Sequence, residues 1–96
     1  ALKVNEYGEN AKAYQIAGQA SQSQGKAAQA ITYFEKYLEL SPNAANAGQI
    51  AYTIGALAQQ SGNKAKALEF YKKAVANPSL NAQLKAEAQK QINALN

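Results

Sequence analysis

The sequence predicts an all-α domain of about five antiparallel helices stacked as repeats, and three observations predict it. The chain is rich in Ala, Gln, Lys and Glu and has no long β-branched run. Such side chains lose little freedom in a helix. Four pairs of residues recur at one offset: Gly18 with Gly55, Gly25 with Gly62, Ala30 with Ala67 and Phe34 with Tyr71, each 37 positions apart. Between these markers, apolar residues fall at i, i+3, i+4 and i+7, the spacing of one helix face.

Each element follows from that spacing. In the first helix Tyr14, Ala17, Gly18 and Ser21 share a face, and Asn10 is the expected N-cap, its side chain accepting from the first orphan amides. Tyr7 and Ala11 carry the spacing further upstream, although Gly8 interrupts it. Gly25 supplies the left-handed backbone that closes a helix. The second helix carries Ala27, Ala30, Ile31, Phe34 and Leu38 and ends near Ser41–Pro42. That dipeptide is expected to open the third helix as N-cap and first helical residue. Ala47, Ile50, Ile54, Leu57, Ala58 and Ser61 form the third stripe, broken at Gly62. Ala67, Leu68, Tyr71, Ala74 and Val75 line the fourth helix, which Asn77–Pro78 stops. From about Leu80 a fifth helix carries Leu84, Ala88, Ile92 and Leu95 on a narrow stripe, with Lys85, Gln89, Lys90 and Asn93 facing away. One apolar stripe and a polar back suit a terminal cap.

Composition narrows function by exclusion. The 96 residues make a single domain, 1–96, with a modest core. Cys and His are absent, which removes thiolate chemistry, a Ser–His pair and metal sites of the His or Cys type. No cofactor is expected. The basic residues are all Lys and the acidic ones all Glu, for a mild net charge of +4. Lys64, Lys66, Lys72 and Lys73 form a loose cluster whose ordinary explanation is a solvated helix face. Glu35 and Glu39 lie one turn apart, yet exposed helical glutamates account for such a pair without catalysis. Gly25 and Gly62 belong to no phosphate-cradling pattern. The chain is therefore expected not to be an enzyme. No apolar run approaches the roughly 20 residues of a membrane span, so no membrane insertion is expected. No signal peptide is visible at Ala1, which fits a chain that begins after a cleavage site or a piece cut from a longer protein. Abundant Asn and Gln without Cys is a composition common in exported bacterial proteins. It leaves cytoplasm and periplasm both open, with a lean to export.

With these residues in place, the chain resembles the tetratricopeptide repeat family, whose unit is about 34 residues in two antiparallel helices. Tyr14, Ala17–Gly18, Ala30, Phe34 and Pro42 stand where the family has its first aromatic, its Leu-Gly pair, its central alanine, its second aromatic and its closing proline. Ile54–Gly55, Ala67, Tyr71 and Ala74 match in the second unit. The resemblance implies a right-handed α-α superhelix: repeat one about 10–42, repeat two about 43–78 and a capping helix about 80–95. Gly18 with Ala30, and Gly55 with Ala67, would let helix backbones approach closely, while Phe34 and Tyr71 fill the space between neighbouring units. Departures are visible. Ala51 replaces the first aromatic in unit two, Ser21 and Ala58 replace a mid-helix Tyr, and Tyr37 stands where a small residue is usual, so that spot must be roomier. The offset of 37 exceeds the family unit by about three residues. An N-terminal extension of the third helix over Asn43 to Gly48 is expected to hold them.

The resemblance also implies a function: a protein–protein interaction module holding a peptide or partner protein in a concave groove. Its lining would be Lys12, Gln15, Gln19, Gln22 and Ser23 from unit one, then Gln49, Tyr52, Ala56, Gln59 and Gln60 from unit two. The cap would add Lys85 and Gln89. Amide side chains both donate and accept, which suits an extended peptide backbone, and Tyr52 is the candidate aromatic anchor. The plain alternative is a set of solvated helix faces. Gln15, Gln19, Thr53 and Ala56 occupy the places where some members grip a C-terminal carboxylate with Lys and Asn, so that clamp is not expected. Self-assembly or docking on another domain through an open N-terminal edge at Tyr7 and Tyr14 is the alternative, as a homo-oligomer or within a larger protein. Single-stranded RNA binding is disfavoured by the absence of Arg and the scarcity of groove aromatics.

Overall fold

The computed structural model describes residues 4–95, with side chains described from residue 11 onward. Among these residues it holds five helices and no strand: α1 (Val4–Ser23), α2 (Ala27–Leu40), α3 (Ala47–Gln60), α4 (Lys64–Ala76) and α5 (Ala82–Leu95). Each helix packs on the next, most closely within the hairpins α1–α2 and α3–α4, and α3 also touches α5. Nearest-neighbour stacking of this kind is the all-α superhelix that the repeat requires. The body measures 44 × 29 × 19 Å.

The two hairpin turns are copies of each other. In the first, the Lys26 amide donates to the Ser21 carbonyl at 2.8 Å and the Gly25 amide to Gln22 at 3.1 Å. In the second, Asn63 donates to Ala58 at 2.8 Å and Gly62 to Gln59 at 3.1 Å. Both are Schellman closures, and the glycines supply the required positive φ of 76° and 84°. The Asn63 side chain then caps α4 by accepting from the Lys66 amide at 3.2 Å.

Phe34, Ile54 and Tyr71 are the largest fully buried side chains, surrounded by Ala30, Ala58, Ala67, Ala74 and Ala88, all fully enclosed. Each buried ring lies over a glycine of its own unit. A β-carbon on Gly18 would sit 2.7 Å from the Phe34 ring, and one on Gly55 would sit 2.9 Å from the Tyr71 ring. The aromatics therefore close the helix pair inside each unit, over the glycines, where the sequence reading had placed them between units.

Three boundaries differ from the sequence reading. Among the described residues the first helix already runs from Val4, so Asn10 lies within it and is not its N-cap. Asn10 and Tyr7 fall outside the described side chains. Ser41–Pro42 does not open α3. Ser41 is the C-cap of α2, its amide donating to the Tyr37 carbonyl, and α3 begins only at Ala47. The additional residues thus form a turn over 41–46 and not a helical extension, because a Pro-Asn-rich segment favours turns. Tyr37 sets that turn. The side chain is buried, and its hydroxyl donates to Asn46 Oδ1 at 2.6 Å just before α3. Finally, α5 begins at Ala82, with the Asn81 side chain accepting from the Leu84 amide at 2.8 Å. Leu80 is spent on the preceding turn, buried against Gly48 at the start of α3.

Candidate protein-binding face

The first helix of each unit carries the residues that the sequence reading placed in a groove. Lys12, Gln19 and Gln22 on α1 are exposed and Gln15 is half-buried. On α3, Gln49 is exposed while Tyr52 and Gln59 are half-buried; on α5, Gln89 is exposed and Lys85 half-buried. The offset of 37 carries through this face, pairing Lys12 with Gln49, Gln15 with Tyr52 and Gln22 with Gln59. Equivalent positions on successive first helices therefore recur at the surface.

The face is organised most tightly where α3, α4 and α5 meet. Tyr71 of α4 donates its hydroxyl proton to Gln59 Oε1 at 2.8 Å. Gln59 Nε2 donates to Gln91 Oε1 at 3.1 Å, and Gln91 Nε2 donates to Glu87 Oε1 at 3.3 Å. The Tyr52 ring meets the Tyr71 ring edge-on, centroids 5.6 Å apart, a favoured aromatic geometry. Burial raises the Tyr52 pKa, and the Glu87 carboxylate raises it further. Burial, then Tyr52, then Glu87 push Tyr71 up to about 12. Both phenols thus stay protonated at neutral pH, and Tyr71 remains the donor that its bond to Gln59 needs.

This network changes the reading of individual residues. Gln59 is not a free amide, since its oxygen is bound to α4 and its nitrogen to α5. It ties the cap to unit two. Gln89 bonds along its own helix to Asn93 Oδ1 at 3.2 Å. Among the described residues the backbone of α1 runs close to α2 and not to α3, so the α1 part of this face is not joined to the Tyr52 cluster by a close helix pair. Glu87 and Gln91 were missed. Both lie on α5 one turn apart, but nothing in the sequence distinguishes them from other solvated polar residues until α5 is docked on α3.

A stack of helical hairpins with small residues at each crossing and a polar, repeating face on its first helices defines a helical-repeat scaffold. The model of the tetratricopeptide repeat matches residues 9–78, and the chain belongs to the tetratricopeptide repeat family. Members of that family serve in general as non-catalytic protein-interaction modules. No curated protein matches the chain. Among the described residues no helix is long and apolar enough to cross a membrane.

Proposed function

We propose that the chain holds a peptide or partner-protein segment along the face built from α1, α3 and α5, without catalysing a reaction. The observation that carries this reading is Tyr52. It is an aromatic side chain left half-buried on the repeat face and braced edge-on by the buried Tyr71. A ring already held by its neighbours loses little further freedom when a partner covers it, which is what an anchor needs. Lys12, Gln15, Gln19 and Gln22 on α1 and Gln49 on α3 offer donors and acceptors elsewhere along the face, and Gln89 and Lys85 extend it along α5. The test is a pull-down from an extract of the source cell with the parent chain, Tyr52→Ala and Gln19→Ala as baits, each checked for native helicity. Loss of the same partner from both variants supports this face. Retention by both moves the interface elsewhere.

A second reading is favoured by a separate observation. Ala51 and Phe70 of unit two are buried, whereas their counterparts in unit one, Tyr14 and Tyr33, stay half-exposed with ring centroids 6.1 Å apart. This edge suits self-assembly or docking onto another domain. A light-scattering mass equal to one chain at high concentration speaks against self-assembly.

A further inference from the structure

The hydrogen bonds at the junction of α3, α4 and α5 run in one direction. The Tyr71 hydroxyl donates to Gln59, the Gln59 amide nitrogen to Gln91, and the Gln91 amide nitrogen to Glu87 Oε1. Each amide accepts once and donates once, and the chain ends on a carboxylate, which only accepts. The other oxygen of Glu87, Oε2, has no hydrogen-bond partner among the described residues. It is still open to water, because no buried side-chain nitrogen or oxygen there lacks a partner. One oxygen is tethered to the fold and the other is left free.

Glu87 also stands apart from the other glutamates whose side chains are described. Glu35 pairs with Lys66, Glu39 with Lys36 and Glu69 with Lys73. Among the described residues Glu87 pairs with no lysine, although Lys85 and Lys90 share its helix and the chain carries a net charge of +4. The residue is half-buried, so water screens its charge less than at an exposed site. Burial raises the pKa values of Tyr52 and Tyr71, and the nearby Glu87 charge raises both further. Tyr52 is itself half-buried on the repeat face and braced edge-on by Tyr71. An unpaired, tethered carboxylate beside a partly open aromatic ring is complementary to a cation carried on an aliphatic stem.

We infer that Glu87 receives a cationic side chain, lysine or arginine, of the protein segment that lies along the α3–α5 part of the repeat face. The cation meets Glu87 Oε2, and the stem of the same side chain packs on the Tyr52 ring. Because Gln91 already holds the carboxylate, little of its freedom is lost on binding. This inference rests on the reading of that face proposed above and adds the charge of its partner.

The experiment is an NMR titration of the full chain with a capped Ala-Ala-Lys-Ala-Ala peptide and its twin carrying Nε-acetyl-lysine, which keeps the stem and loses the charge. The lysine peptide is expected to perturb the Tyr52 ring and Gln91 side-chain amide signals and to bind about five-fold more tightly than its twin. Glu87→Gln keeps an acceptor for Gln91 and should remove this preference while leaving the affinity of the twin unchanged. Glu39→Gln takes the same charge from α2, where the side chain is 70% exposed, and should preserve the preference. A preference that survives Glu87→Gln, or that Glu39→Gln reduces as much, overturns the proposal. Equal binding of the two peptides at Tyr52 overturns it while leaving the reading of the face intact. No response at Tyr52 to either peptide overturns it and counts against that face as well.

Discussion

The Tyr37 hydroxyl donates to Asn46 Oδ1 across 2.6 Å, joining the last turn of α2 to the residue before α3. The corresponding position in unit two is Ala74, fully buried with no such reach. This contact holds the longer inter-unit turn in place. Tyr37→Phe keeps the ring and leaves a part-buried amide oxygen without its donor, at a cost of about 1 kcal/mol. Asn46→Ala should cost a similar amount. The double variant should lose less than the sum, because either change alone already breaks the bond. Chemical denaturation of all four proteins checks this, and strictly additive losses would show that the bond contributes nothing.

Gly18→Ala and Gly55→Ala test the closest approach in each unit. Alanine is favoured over glycine inside a helix by roughly 1 kcal/mol. Here the new methyl would stand 2.7 Å from the Phe34 ring or 2.9 Å from the Tyr71 ring, and both rings are enclosed. Overpacking of a dense core costs about 1–3 kcal/mol and should win. Both variants are therefore expected to melt below the parent. Gly25→Ala and Gly62→Ala should also destabilise, for a different reason. Their methyls meet no atom within 4 Å, but the backbone is left-handed at φ 76° and 84°. That conformation costs an L-residue about 1–2 kcal/mol. Thermal unfolding of the four variants decides, and a raised melting temperature for Gly18→Ala or Gly55→Ala would mean that the rings move aside freely.

Why these glycines were legible in the sequence, and other features were not, has a physical basis. A glycine forced by a left-handed turn or a ring overhead leaves its mark at one position, and a repeat shows it twice. The pairs Gly25/Gly62 and Gly18/Gly55 therefore disclosed the hairpins, their turns and the register of the core. The turn over 41–46 was hidden because Pro42 fits the first turn of a helix as well as it fits a loop. What decides is the tertiary bond from Tyr37 to Asn46, which no local pattern reports. The same applies to the repeat face. Tyr52 stood out as an aromatic among amides. Gln59, Glu87 and Gln91 acquire their roles only when α5 docks on α3, a contact between residues some thirty positions apart.

Ala67 is fully enclosed between the helices of unit two. Ala67→Leu adds three carbons where the close crossing leaves no free volume, at an expected cost of about 1–3 kcal/mol. Ala65, two residues earlier on the same helix, is exposed. Ala65→Leu should leave stability within about 0.5 kcal/mol of the parent. Denaturation midpoints of the two variants separate a specific packing effect from a general effect of leucine. An Ala67→Leu protein as stable as the parent would mean that the crossing is looser than the buried alanine indicates.

Tyr71 gives the fold a dependence on alkaline pH. In the unfolded chain a tyrosine ionises near pH 10. In the folded protein Tyr71 is raised to about 12, first by burial and then by Tyr52 and Glu87. Because the folded state holds the proton more tightly, the stabilisation from this group is complete below about pH 10 and is lost as pH rises toward about 12. Lysines and other tyrosines titrate in the same range, so the parent alone does not isolate the effect. Tyr71→Phe does. At neutral pH the variant should be less stable by about 1 kcal/mol, having lost the donor to Gln59. From about pH 10 upward the gap should close, because the parent's folded state then resists an ionisation that the variant cannot undergo. Stability measured for both proteins at neutral pH and at two values above 10 tests the sign directly. A gap that stays constant or widens with pH would show that Tyr71 ionises at least as readily in the folded chain as in the unfolded one.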